Sequence, residues 1–278
     1  MSNQVSAVGY QVEAVRPLPR MWAQMRQMIR QDRAGWLLLG CWALGMMSLP
    51  IGLWLMGEAI LPVGMTVTTV LQAGAVIMLL RRAWGWRRVG LTLAGVAALG
   101  WLVEFIGSST GLPFGVYHYT ERLQPQLGGV PLLIPLAWFM MLPPAWTVAA
   151  LIGGRGGRWR FLLLSMLAFT AWDLFLDPQM VLFDFWRWET AGGYFGIPWS
   201  NYAGWLLAAG VMTLAVRPPM QPVRPLLLVY GLVWFFETFG LLFFWELPGP
   251  ALVGGVVMGA FTLWAGLRAR TAGERGAA

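Results

Sequence analysis

Residues 171–205 read AWDLFLDPQMVLFDFWRWETAGGYFGIPWSNYAGW. Two carboxylates, Asp173 and Asp177, stand one helical turn apart at the end of an apolar run. Asp184, Glu189, four tryptophans (Trp186, Trp188, Trp199, Trp205) and Asn201 follow. An ionised acid at the centre of a membrane-embedded helix costs about 2.5–3.5 kcal/mol on insertion scales, so acids in such a run need partners or a task.

The rest of the chain explains why this run reads as membrane-embedded. Of 278 residues, 58% are hydrophobic and only 11% are charged, and the mean hydropathy is +0.63. That leaves too little polar surface to cover a soluble globule. The single cysteine, Cys41, lies within the first apolar run, which excludes a disulfide framework.

Eight runs, at 36–56, 60–80, 90–106, 132–152, 161–177, 201–216, 226–245 and 250–267, approach the roughly 20 residues needed to cross the hydrocarbon layer. The third, fifth and sixth are short, so their ends are expected to stop inside the protein. The expected fold is an all-α, polytopic membrane helix bundle of about eight transmembrane helices with two aromatic, Gly/Pro-rich lid segments, 107–131 and 178–200. Residues 1–35 read as a cytoplasmic tail. Within it Leu18, Met21, Trp22, Met25, Met28 and Ile29 recur at helical spacing opposite Arg20, Arg26, Arg30 and Arg33, as in an interfacial amphipathic helix. Residues 36–267 form one transmembrane catalytic domain and 268–278 a C-terminal tail.

The formal charge of +7 is spread by topology. All but two of the 19 basic residues fall in the two tails and in the second, fourth and sixth connections. Arg122 and Arg187, the exceptions, lie in the lids. Positively charged loops stay inside, so both termini are expected on the cytoplasmic side of the cytoplasmic membrane, with the lids opposite. Basic residues placed this way argue against nucleic-acid binding; the lipid bilayer is the partner.

A helix rises about 1.5 Å per residue, which puts Glu237, Asp173, Glu104 and Asp177 about 17–24 Å from the cytoplasmic ends of their runs, in a layer of about 30 Å. Four acids in one slab suit a central cavity. Each alone can equally be a structural residue that hydrogen-bonds across helices. Together, with no arginine at that depth, desolvation and like-charge neighbours favour the protonated carboxyl, which is a general acid. Around them lie Trp172, Trp188, Tyr194, Trp205, Tyr117 and Tyr119. Aromatic faces hold cations, although Trp and Tyr also gather at membrane interfaces for anchoring alone.

The blocks 107–141 and 173–205 carry the motifs PFGxYxY, GVPxxIPLAW, DxxxDP and YxGIPxxN. In these the chain resembles the CruF-type carotenoid 1,2-hydratases, membrane carotenoid biosynthesis proteins whose haloarchaeal relatives hydrate bisanhydrobacterioruberin. The resemblance implies a carotenoid substrate and addition of water to the terminal 1,2 double bond of an acyclic end, as in lycopene or γ-carotene. The product is a tertiary 1-hydroxy carotenoid.

Such a reaction needs no cofactor and no metal; His118 is the sole histidine. The expected catalytic residues are Asp173 and Asp177 as the proton-donating pair, with Asp177 ending its helix at Pro178. Glu104 orients or deprotonates the water, and Glu237 completes the cluster. Asn201, Tyr117 and Tyr119 position the water, and Trp172, Trp188, Tyr194 and Trp205 face the cation. Three rivals share features. A membrane lycopene cyclase begins with the same protonation but closes a ring. A prenyltransferase would need a second acidic motif and nearby cations for magnesium and diphosphate. A non-enzymatic protein would use the acids as a proton relay.

Overall fold

The computed structural model describes residues 29–275 except 31 and 155, with side chains as far as Thr271. The chain divides into a short unit, Met1–Arg33, and a main unit, Ala34–Ala278. The amphipathic helix expected at 18–29 falls almost wholly outside the described residues.

The main unit is helical. Helix α1 spans Arg33–Met56 and passes through a 3-10 turn, Gly57–Ala59, into α2, Ile60–Thr110. Helices α3 (Leu133–Gly153), α4 (Gly157–Leu182), α5 (Trp199–Val216), α6 (Pro225–Phe243) and α7 (Pro248–Arg275) follow. Among the described residues, five helical stretches are long and apolar enough to cross a membrane. The first, Arg33–Thr110, runs 78 residues and is interrupted twice, at the 3-10 turn and at Gly85 (φ 73°, ψ 160°). A positive φ costs glycine nothing sterically, so the chain turns there on one residue. The connection expected between the second and third runs is therefore a kink flanked by Arg81, Arg82, Arg87 and Arg88 rather than a loop.

Helix α3 is the axis of the bundle. It packs against α2, α4, α6 and α7, and every residue from Trp138 to Gly153 is buried. A helix that is apolar all round belongs in the interior. Helix α1 buries only Gly35, Leu39, Trp42 and Leu49 and leaves most of its surface outward.

Two expectations need correction. Helix α4 is not a short span ending at Pro178. It extends for 26 residues, with Pro178 inside it. Proline removes one i→i−4 hydrogen bond and distorts a helix without necessarily ending it, provided the freed carbonyl finds another donor. The third run is also longer than 90–106, because its helix continues from the Gly85 kink to Thr110.

The connections between α2 and α3 and between α4 and α5 meet in a small antiparallel sheet. Strand β1 (Tyr117–Tyr119) pairs with β4 (Trp186–Trp188) in the register Tyr117↔Trp188, His118↔Arg187 and Tyr119↔Trp186. A second hairpin joins β2 (Gln126–Leu127) to β3 (Val130–Pro131). Arg122 ties this layer to the α1–α2 turn: its Nη1 donates to Glu58 Oε2 at 3.1 Å and its Nη2 to the Glu58 carbonyl at 3.2 Å.

Candidate active site

Helix α4 presents Asp173 and Asp177 on one face, and α5 brings Asn201 against both. Asn201 Nδ2 donates to Asp173 Oδ2 at 2.9 Å and also to Asp177 Oδ2. The other Asp177 oxygen, Oδ1, accepts from Trp186 Nε1 of β4 at 3.0 Å. Asp173 Oδ1 has no hydrogen-bond partner among the described residues. The Asn201 amide is thus the group that links the two carboxyls. Both residues are buried, and no salt bridge among the described residues reaches them.

Glu104, in the second half of α2, is held differently. Its Oε2 accepts hydrogen bonds from the Tyr117 hydroxyl at 2.5 Å and the Tyr119 hydroxyl at 2.7 Å, and its Oε1 accepts from Trp138 Nε1 at 2.9 Å. Three donors converging on one carboxyl suit an acceptor-only carboxylate. Gly107 makes the approach of β1 possible. A Cβ at that position would meet Phe114 Cδ2 at 2.6 Å and the Tyr117 hydroxyl at 3.1 Å. Burial, then the Glu104 charge, hold both tyrosine hydroxyls well above the ordinary phenol value, so they remain neutral donors.

The third acidic position is Glu237 on α6. With the Gln179 amide oriented to satisfy its neighbours, Gln179 nitrogen donates to Glu237 Oε2 at 3.2 Å and its oxygen accepts from Trp245 Nε1 at 3.2 Å.

One cavity of about 400 Å³ joins these groups. Its walls include Glu104, Asp177 and Glu237, with Tyr117, Tyr119, Trp172, Trp188, Asn201 and Trp205 from the residues expected at the site. Most of the remaining lining is apolar and includes Met46, Met65, Val233, and Trp42 packed edge to face on Phe236 at 5.5 Å between ring centres. Trp138 stacks on Trp205 at 4.6 Å between ring centres, and Tyr117 lies 4.9 Å from Trp188. The cavity therefore offers several aromatic faces beside the acids. Four lining residues are also well exposed: Met47 on α1, Phe235 and Phe239 on α6, and Phe244 just beyond it. They mark a mouth between α1 and α6 that opens on the apolar flank of the bundle.

Two expected residues lie elsewhere. Asp173 is fully buried and not part of the cavity wall; it sits behind Asp177. Tyr194 packs with Ile197 and Tyr202 in a separate cluster, where its hydroxyl donates to the Leu174 carbonyl at 3.0 Å. His118 points outward on β1, opposite Arg187.

Sequence reasoning missed Gln179, Trp138, Trp186 and Trp245 as polar partners. Trp138 lies inside the GVPxxIPLAW motif, and a helix continuing past Pro178 would have brought Gln179 onto the Asp173/Asp177 helix. The depth argument weighed only ionisable groups and so passed over these donors.

The apolar helices and the acid-lined, aromatic cavity define a membrane-helix protein with an enclosed, largely apolar chamber. Residues 64–261 match the family described as carotenoid biosynthesis protein, and the chain belongs to that family. It is similar to the bisanhydrobacterioruberin hydratase of Haloarcula japonica, 39% identical over 131 residues, covering 46% of this chain and 44% of the relative. The matched stretch thus spans less than half the relative's length. No solved structure matches the chain.

Proposed function

We propose that the protein hydrates the terminal 1,2 double bond of an acyclic carotenoid end, of the lycopene or γ-carotene type, to a tertiary 1-hydroxy group. The observation that carries this reading is the division between two buried carboxyls bridged by Asn201, of which Asp177 faces the cavity, and a triply hydrogen-bonded carboxyl, Glu104, on another part of the wall. Asp177, the member of the pair that faces the cavity, gives its proton to C2. The positive charge then rests at tertiary C1, beside the faces of Trp172, Trp188 and Trp205, where a cation in a water-excluded site gains about 2 kcal/mol or more per ring. A water adds to C1 and loses its proton to Glu104. Return of that proton to the aspartate pair closes the cycle, so the net change is one water gained and no cofactor consumed.

The name of the haloarchaeal relative supports water, rather than an internal alkene, as the species that captures the cation. Tyr117 and Tyr119 hold Glu104, Asn201 holds the pair, and Glu237 with Gln179 supplies a polar patch for water on the remaining wall.

Within the membrane we read eight crossings, counting the two arms of α2 separately and including the 18-residue α5. Both termini are then cytoplasmic, with the β1/β4 layer closing the site on the opposite side. In support, Arg88 Nη2 donates to the Arg217 carbonyl at 2.8 Å, which joins two arginine-bearing turns at one end of the bundle. The connections carrying β1 and β4 pair with each other at their own end.

The test is purified protein in lycopene-loaded proteoliposomes, with the pigment analysed by mass. The expected product has gained one or two waters. A product of unchanged mass with a ring, or no product, removes the proposal.

A further inference from the structure

The turn that carries both aspartates contains a proline, and the structure supplies a substitute for the hydrogen bond that the proline removes. In an unbroken helix the N–H of residue 178 would donate to the carbonyl of Leu174. Pro178 has no N–H, and its ring crowds that carbonyl. The carbonyl is not left bare: the Tyr194 hydroxyl donates to it at 3.0 Å. A buried carbonyl left without a donor is rare in native proteins, so a partner was required.

Tyr194 comes from the connection after β4, twenty positions along the chain from Leu174, and is itself firmly seated. Its N–H donates to the Ile197 carbonyl at 3.2 Å, and the Ile197 N–H returns to the Tyr194 carbonyl at 2.8 Å. The turn between them passes through Phe195 (φ 47°) and Gly196 (φ 90°). The Tyr194 ring packs edge-on against Tyr202 at 5.1 Å and Trp199 at 5.7 Å. Tyr194 does not line the cavity.

We infer that Tyr194 is a positioning residue for the acid pair: by taking over the hydrogen bond that Pro178 deletes, it fixes the opened helical turn so that Asp177 faces the cavity while Asp173 stays behind it. This rests on the hydration reading for its kinetic part and on geometry alone for the hydrogen-bond exchange. It replaces the expectation that the Tyr194 ring faces the cation.

The experiment is a double-mutant cycle in the full-length protein, with Tyr194→Phe, Pro178→Ala and the pair combined, and Pro178→Ser as a second replacement that also restores an N–H. Two readouts are taken: steady-state hydration of lycopene in proteoliposomes, and apparent Tm in detergent. In the native background Tyr194→Phe is expected to lower kcat by about tenfold with KM unchanged, since small misplacements of reacting groups are costly, and to lower Tm. Combined with either Pro178→Ala or Pro178→Ser, the same change should leave kcat and Tm where they were, because the backbone then supplies the donor. An equal loss with and without the proline, no loss in the native background, or a rise in KM alone overturns the assignment. Wild-type protein that hydrates nothing would sink the proposed function. The Tm cycle would still decide the hydrogen-bond exchange, and equal Tm losses with and without the proline overturn it regardless of the pigment result.

Discussion

Replacing Glu104 by Gln tests the division of labour in the cavity most directly. The change keeps shape and removes charge, and the geometry sets its cost. Oε2 serves two hydroxyls and Oε1 one indole N–H. A glutamine places its single oxygen best toward the two tyrosines, and its amide N–H₂ then confronts the Trp138 N–H, donor against donor. Leaving that buried donor unsatisfied costs about 1–3 kcal/mol, and the two remaining bonds lose their charge assistance. A total destabilisation of about 2–4 kcal/mol follows. Removing the opposing donor with Trp138→Phe should recover about 1–3 kcal/mol of it, read as apparent Tm at about 2–4 °C per kcal/mol for large domains. Activity should behave differently. Loss of the base lowers the hydration rate about a hundredfold to ten-thousandfold, and Glu104→Gln/Trp138→Phe, measured against Trp138→Phe alone, should remain that slow. If the double variant regains the rate of its single parent, Glu104 acts only through stability and the proposed base role is wrong.

Asp177→Asn and Asp173→Asn should each lower hydration by about a hundredfold or more, the first by deleting the donor that faces the cavity and the second by removing the acid one turn away that holds the same Asn201 amide; membrane content measured by immunoblot should stay normal. Met47→Trp, at the mouth between α1 and α6, should raise KM for lycopene with kcat little changed, and a wild-type KM would place the entrance elsewhere. Tyr117 and Tyr119 start from a phenol value of 10.0 and are raised in the fold. Their contribution to stability is thus complete below about pH 10 and declines as pH climbs toward the raised value. Tyr117→Phe should therefore flatten the loss of Tm above pH 10, and an unchanged alkaline slope would count against the burial of that hydroxyl.

The helical architecture was open to reading because apolar runs and arginine placement are one-dimensional properties. Depth along a helix is one-dimensional as well, which is why Glu104, Asp177 and Glu237 could be expected in one slab and do line one cavity. Rotation about each helix axis is not. The runs are apolar on all sides, so nothing in their periodicity says that Trp138 turns its indole toward Glu104 or that Gln179 lies under Glu237. Pro178 illustrates a different gap. Taken locally it reads as a helix stop, and only a tyrosine sixteen positions later, folded back by its own turn, makes helix continuation tolerable. The same fold-back removes Tyr194 from the cavity, a result that its aromatic type could not disclose.

The pairing of β1 with β4 gives the chamber a ceiling assembled from two distant pieces of chain. Alternation along a strand turns successive side chains to opposite faces. Tyr117, Tyr119 and Trp188 accordingly reach the cavity together with Trp186, while His118 and Arg187 look away. Loss or gain of a single residue in either strand would invert that half of the ceiling, swinging two rings outward and bringing an imidazole or a guanidinium down among the carboxyls. Point substitutions at His118 or Arg187 should pass almost unnoticed, whereas a one-codon deletion beside them would put a polar side chain where the cavity now has an aromatic wall.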